Sequence, residues 1–328
     1  MPINLARRSI SVRCVDVALV VAIACASMVR AEDPEPPAGG RLLERLRKRQ
    51  ADTKSQLGAA EAKSPKHPGE EMAIAGLRVN VWRPAGEVRG AALLVIFSHG
   101  FHGGSTQSTF LMKTLADDGY LVVAPNHKDA LHSGDRSEFS FLPEVGFGKP
   151  DDWTVETYRD RATDIQALFE ALKDDQKWAG KIDWDKVALA GHSLGGYTVL
   201  GLSGGWPNWK PEGVTIRAVL ALSPYCSPFI KKETLRKIDV PVMYQGGTRD
   251  LGITPFVRRD GGAFDLTAAP VYYIEFDKAT HLAWTDLKSD YQKSINYYSL
   301  SFLNKHLKRG NVTEITRKLP DVSELRSK

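Results

Sequence analysis

Five consecutive residues, Gly191-His192-Ser193-Leu194-Gly195, carry the strongest chemical signal in this chain. A serine hydroxyl is a weak nucleophile until a neighbouring base takes its proton. A reactive serine must therefore stand clear of its surroundings and beside an imidazole. The flanking glycines suit the first requirement. If Ser193 adopts a positive φ in a tight bend, its Oγ projects outward, and side chains two positions before or after would collide. Gly191 and Gly195 remove that collision, and Gly196 would let a following helix press close to the strand. Such a five-letter pattern recurs by chance in a chain with 28 glycines, so its context decides. Here it follows the apolar run 186–190 and opens a helical pattern over 194–203, giving the strand, sharp turn and helix the bend requires. The helix would point its first amides and its positive dipole end at any negative charge formed nearby.

The elements that must position this serine are legible as short, continuous apolar runs at 91–97, 120–124, 186–190, 217–222, 240–244 and 271–276. Such runs fit strands buried on both faces of a sheet. Residues 72–83 alternate apolar and polar, as an edge hairpin would. Helical stretches near 107–118, 154–177 and 194–203 separate the runs, and a long one over 286–308 follows the last. The alternation predicts the α/β class. We expect a doubly wound, mostly parallel sheet flanked by helices, with right-handed crossovers, in a single catalytic domain over 71–328. The stretch 131–153 lacks periodicity and is rich in Gly, Pro and aromatic residues, so it reads as a long functional loop.

The 328 residues are 42% hydrophobic and 25% charged, which excludes collagen-like, coiled-coil and wholly disordered chains. The net charge of +5 is weighted to the N-terminus, where Arg7, Arg8, Arg13 and Arg30 stand against Asp16. The remainder is close to neutral and lacks the basic surface that nucleic-acid binding needs. Residues 1–31 read as a signal peptide: a basic start, an apolar run over 17–29, and Val29-Arg30-Ala31 with small residues flanking a cleavage position. That run is short for a membrane span, which needs about 20 residues. The expected location is thus exported, either periplasmic or extracellular. Two variants stay open. Arg7-Arg8 offers a twin-arginine signal, and Ala22-Ile23-Ala24-Cys25 resembles a lipoprotein box, in which lipidated Cys25 would add peripheral membrane contact. Residues 32–70 read as a Pro/Gly/acidic linker and a polar helical spacer. With Cys14 and Cys25 in the leader, Cys226 has no internal disulfide partner and is expected to be a small buried residue.

Other segments complete a family pattern. Ser98-His99-Gly100-Phe101 follows one strand, Pro125–Asp129 (PNHKD) follows the next, and Arg161–Leu168 (RATDIQAL) lies on a helix. With Gly191–Gly196, they make the chain resemble the α/β-hydrolases, and within them the platelet-activating factor acetylhydrolase and dienelactone-hydrolase-like group. The likeness covers about residues 72–308. It departs from true dienelactone hydrolases in having Ser, not Cys, as nucleophile, and from the acetylhydrolases in having Lys128 where they have Arg. The resemblance implies a serine, an acid and a histidine in that order along the chain. His281, in a loop after 271–276, is the implied base, while His306, mid-helix, reads as a solvated surface residue. The implied acid is Asp250, leaving the strand 240–246 through a Gly246-Gly247 turn, with Asp260 and Asp265 as more distant competitors. Backbone N–H groups of Phe101 and Leu194 would form the oxyanion hole. The Phe101 ring would flank the acyl group, and Gly100, Gly103 and Gly104 would keep the loop near the substrate.

No cofactor or metal is implied. His99 and His102 lack a third ligand at suitable spacing and fit structural hydrogen bonding better. Trp284 and Trp153 are candidates to line an apolar pocket, with plain core or rim packing as the alternative; Tyr158, Phe139 and Phe141 stand the same way. The expected function is an exported serine hydrolase cleaving a small-molecule or lipid carboxylic ester through an acyl-enzyme intermediate at Ser193. The alternatives are a peptidase or acyltransferase using the same residues, or a catalytically inactive binding module on the same fold.

Overall fold

The structure, a computed structural model, describes residues 69–86, 90–130, 142–268, 270–308 and 315–328. The expected leader, linker and spacer up to residue 68 lie outside these, as do Phe139 and Phe141 of the 131–153 loop.

Among the described residues, nine strands form one sheet: β1 (Glu70–Ile74), β2 (Leu77–Trp82), β3 (Ala92–Ser98), β4 (Tyr120–Pro125), β5 (Ile182–His192), β6 (Ile216–Leu222), β7 (Val242–Gly247), β8 (Val271–Phe276) and β9 (Val322–Ser327). Their order is β1-β2-β4-β3-β5-β6-β7-β8-β9. The six central strands, β4 to β8 with β3 between β4 and β5, run parallel. The β1–β2 hairpin and β9 close the two edges antiparallel. This is the doubly wound, mostly parallel sheet of the α/β-hydrolase fold.

Burial on both faces explains why the central strands read as unbroken apolar runs. Leu94 and Ile96 of β3, Val187 and Leu189 of β5, and Val219 and Ala221 of β6 face one core. Their neighbours Val95, Phe97, Ala188, Ala190, Ala218 and Leu220 face the other. Helices α1 (Thr109–Asp117) and α7 (Gln292–Leu307) cover the second face with Leu111, Met112, Leu115, Ile295, Tyr298 and Phe302. Helices α2 (Arg159–Asp174) and α3 (Leu194–Leu200) contribute Ile165, Leu168, Phe169, Tyr197 and Val199 to the first. Three short helices, α4 (Ser227–Lys231), α5 (Thr254–Arg258) and α6 (Ala263–Leu266), sit in the β6–β7 and β7–β8 connections.

Several boundaries differ from the sequence expectation. Gly246 and Gly247 are the last residues of β7, paired with Glu275 and Phe276, and do not form the turn. They are small because a Cβ at Gly247 would run into the carbonyl of Ala279, and one at Gly246 would lie 2.8 Å from the Thr254 hydroxyl. The helix expected from 194 continues past Leu200 as a π turn over Gly201–Gly205, where the Trp209 ring lies against Gly201. β9 went unpredicted because its sequence, VSELRS, is polar on an edge. The long C-terminal helix begins at Gln292 rather than 286, because residues 281–286 are engaged elsewhere.

That engagement fixes the loop after β8. Ser108, at the start of α1, does not cap its own helix; its hydroxyl donates to the Trp284 carbonyl at 2.6 Å. Asp286 caps α1 instead, accepting from the Thr109 and Phe110 amides at 3.1 Å each and from the Thr109 hydroxyl at 2.5 Å. The Asp286 amide in turn donates to the Gln107 carbonyl at 2.9 Å. Replacing a capping carboxylate generally costs about 1–2 kcal/mol. Asp286→Ala should therefore lower unfolding free energy by about that amount in urea titration, with Asp286→Asn closer to the parent.

Candidate active site

β5 ends at His192 and α3 begins at Leu194, so Ser193 alone makes the turn between them. Its backbone is left-handed, at φ 55° and ψ −116°. Three bonds hold it there: its N–H donates to Leu222 O at 3.0 Å, and its carbonyl accepts from Tyr225 N–H at 3.0 Å and Tyr197 N–H at 3.2 Å. A Cβ at Gly191 would collide with the carbonyl of Gly195, and one at Gly195 with the carbonyl of Ser98 at the end of β3. At Gly196 the nearest neighbour is Pro224, beyond β6, at 2.5 Å from a Cβ placed there, with the β5 carbonyl of Gly191 at 3.4 Å. Ser193 is half-buried, so its hydroxyl retains access to solvent.

The loop after β8 brings His281 to this bend. Its Nε2 lies 2.9 Å from Ser193 Oγ, and its Nδ1 lies 3.2 Å from Asp250 Oδ1. Asp250 follows β7, with its N–H bonded to Gly247 O at 3.0 Å, and its Oδ2 accepts from the Thr254 hydroxyl at 3.2 Å. The competitors Asp260 and Asp265 are exposed, and Asp265 accepts the Gly261 amide at 2.8 Å. Ser223 completes the group: its Oγ lies 2.8 Å from His281 Nδ1 and donates to Asp250 Oδ2. Ser223 lies in no sequence motif, and no local spacing marks it.

His192 supports the same loop. Its Nε2 donates to the His281 carbonyl at 2.9 Å, while its Nδ1 accepts from the Gln107 side-chain amide at 3.0 Å. Gln107 Oε1 accepts the Gly100 N–H at 2.9 Å. This line of three side-chain bonds runs from the loop after β3, through the residue beside the nucleophile, to the loop carrying the base. It requires neutral His192; burial first, then the nearby His281, hold its pKa well below the ordinary imidazole value. Gly100 is needed where it stands: a Cβ there would lie 3.1 Å from His192 Nδ1, 3.2 Å from Gln107 Oε1 and 3.4 Å from Ser193 Cβ.

The loop over His99–Gly103 is gripped from the other side by a buried ion pair. Arg161, with no exposed surface, makes two 2.9 Å bonds to the Asp129 carboxylate. It also donates to the carbonyls of His99 at 2.8 Å and Gly100 at 3.3 Å. Burial alone would push the Asp129 carboxyl upward. The Arg161 charge and hydrogen bonds outweigh it and hold that carboxyl well below the usual carboxylate range. His99 donates from Nδ1 to Gly100 O at 2.7 Å and accepts the His127 amide at Nε2, at 3.0 Å. His102 Nδ1 donates to Asp129 O at 3.0 Å. Both imidazoles are thus in structural hydrogen bonds. A further chain lies beneath: Asp164 Oδ2 accepts from His127 Nδ1 at 3.0 Å, and His127 Nε2 accepts from Ser98 Oγ at 2.9 Å. Burial, then Arg161, keep His127 and His99 neutral. The Phe101 and Leu194 amides have no hydrogen-bond acceptor among the described residues.

The expected aromatic residues fall elsewhere. Trp284 is fully buried beneath His192, with ring centroids 6.2 Å apart and planes inclined by 24°, and its indole N–H on Gln245 Oε1 at 3.0 Å. Trp153 is fully buried among Phe147, Tyr158, Tyr197 and Tyr225. Neither ring offers a surface to a ligand, so both are core rather than pocket lining. Tyr158 is also buried, and the Phe101 ring packs edge-on to Phe147 and Tyr158. Cys226 is buried, and burial pushes its thiol up to about 12. His306 is half-buried rather than freely solvated. It packs on Phe302 and Tyr272, and burial lowers its pKa to about 4.

This strand order, with a strained serine after the fifth strand and a histidine after the eighth, is that of an α/β-hydrolase, and the chain belongs to that superfamily. A family model described as serine aminopeptidase, S33, matches residues 90–243, a span that contains Ser193 and ends before Asp250 and His281. YitV of Bacillus subtilis (strain 168), an esterase by name, is 31% identical over 126 residues, covering 38% of this chain and 44% of that protein. Platelet-activating factor acetylhydrolase of Cavia porcellus is 25% identical over 181 residues, covering 46% of this chain and 39% of that protein. The matched stretches span less than half the length of either relative.

Removing one partner of a buried pair leaves an uncompensated charge, at a cost of about 3–5 kcal/mol. Asp129→Asn should destabilise the protein by that amount at neutral pH. Because the native carboxyl is depressed, the pair's contribution is complete above about pH 4 and is lost as pH falls. The stability gap between parent and variant should therefore close in acid, as followed by urea denaturation across pH.

Proposed function

We propose that this protein is a serine hydrolase of carboxylic esters in which Ser193, His281 and Asp250 act together. The observation that carries the reading is the 2.9 Å contact between His281 Nε2 and Ser193 Oγ, at a bend that leaves the hydroxyl half-exposed. As Oγ attacks the ester carbonyl, His281 Nε2 takes its proton. Asp250 holds the ring orientation and stabilises the imidazolium. The Leu194 and Phe101 amides receive the oxyanion, a role supported by their lack of protein acceptors among the described residues. Collapse of the tetrahedral intermediate expels the alcohol, which takes the proton from His281, and leaves the acyl group on Ser193. Water then attacks with His281 as base, releasing the acid and restoring the hydroxyl.

The esterase name of one relative and the acetylhydrolase name of the other support an ester as substrate. The match to a model described as serine aminopeptidase favours an amide as second reading. Export, with a lipidated Cys25 as one variant, belongs to the same proposal and rests on residues 1–31 of the sequence.

A fluorophosphonate should label the protein at Ser193 alone, and p-nitrophenyl acyl esters should be turned over in preference to peptide anilides. Ser193→Ala should lose labelling and lower kcat by about 10⁴-fold or more, with thermal stability retained. Absence of labelling in the folded parent would refute the reading, and preference for anilides would transfer it to peptides.

A further inference from the structure

Ser223 is the first residue after β6 and is fully buried. It stands between the two groups proposed above as base and acid, so its role rests on that reading. His281 Nε2 faces a hydroxyl whose proton it must accept, which leaves the ring proton on Nδ1. The acceptor nearer to Nδ1 is Ser223 Oγ at 2.8 Å; Asp250 Oδ1 is at 3.2 Å. The one hydroxyl proton of Ser223 is directed to Asp250 Oδ2. The carboxylate therefore meets the imidazole by two routes, one direct and one through this hydroxyl.

The backbone supplies an independent observation. Ser223 has a φ of 43°, a left-handed conformation that glycine takes freely and serine does not. Its N–H is fixed on Gln245 O at 2.7 Å, so the strain is imposed by the sheet. Backbone geometry alone favours glycine here. The hydroxyl gives a reason for serine.

We propose that Ser223 is a positioning residue for His281. Its hydroxyl accepts the Nδ1–H bond and donates to Asp250, fixing both the tautomer and the plane of the ring. As His281 gains the Ser193 proton, the positive charge on the ring is balanced by Asp250 directly and through the polarised Ser223 hydroxyl. Ser223 neither gains nor loses a proton overall.

Ser223→Gly separates the hydroxyl from the fold, because it removes the first and relieves the second. The variant should be at least as thermally stable as the parent. Its kcat on a p-nitrophenyl ester, and its rate of labelling by fluorophosphonate, should fall by about 10- to 100-fold, as for loss of a hydrogen bond to a charged group, with KM within about twofold. The proton resonance of His281 Nδ1–H should shift in a histidine-labelled sample. Parent-like kcat with an unmoved resonance would overturn the proposal, as would a KM that rises in step with the fall in kcat while the resonance stays. Were the glycine variant to misfold, Ser223→Ala read by the same resonance would decide. If the parent itself were inert to ester and probe, the reaction assigned to Ser193 would be at fault, and the resonance alone would decide whether Ser223 positions the ring.

Discussion

The left-handed backbone of Ser193 is the constraint on which the rest of the site depends. A side chain at positive φ is held only if its neighbours leave no alternative. Here β5 delivers it from the middle of the sheet, and the ends of β3 and β6 close in on either side. That proximity explains the glycines: Gly195 meets the Ser98 carbonyl and Gly196 meets Pro224. Packing density at one turn thus dictates residue type at several positions, and it aims a hydroxyl outward from the buried C-terminal half of β5.

Around this turn the structure divides two tasks between separate polar groups. The loop that offers the Phe101 amide is held by Arg161 and Asp129, whose mutual attraction persists with Arg161 fully buried because four further donors and acceptors meet the two charged groups. The loop that offers His281 is held by Asp286, Ser108 and His192. Gln107 joins the two by accepting from Gly100 and donating to His192. Keeping His99, His127 and His192 neutral costs little in an apolar interior, since burial already disfavours their charged forms.

Much of this was legible in the sequence. Unbroken apolar runs gave the central strands because both of their faces are buried, and the chain-order rule together with the strand ends led to Asp250 and His281. What the sequence hid is of two kinds. Ser223 and Gln107 are single polar residues whose partners lie 58 and 85 positions away, so no local spacing marks them. For Trp153 and Trp284 the sequence leaves pocket lining and core packing both open, because a large aromatic in a loop or short turn suits either; tertiary packing draws both rings wholly inside. The edge strand β9 escaped for the opposite reason, since hydrogen bonding to β8 rather than burial holds its polar residues in place.

The Asp164, His127 and Ser98 chain repeats, side chain for side chain, the arrangement at Asp250, His281 and Ser193. Its serine lies inside β3 with no exposed surface, and a guanidinium already donates to that oxygen. The molecule thus carries a buried counterpart of the Ser193, His281 and Asp250 cluster, with a serine and a histidine that have no exposed surface. The residue types are the same in both, and the serine-to-imidazole distance is 2.9 Å in each. The outward bend leaves the Ser193 hydroxyl half-exposed, whereas the Ser98 hydroxyl serves the core as a strut.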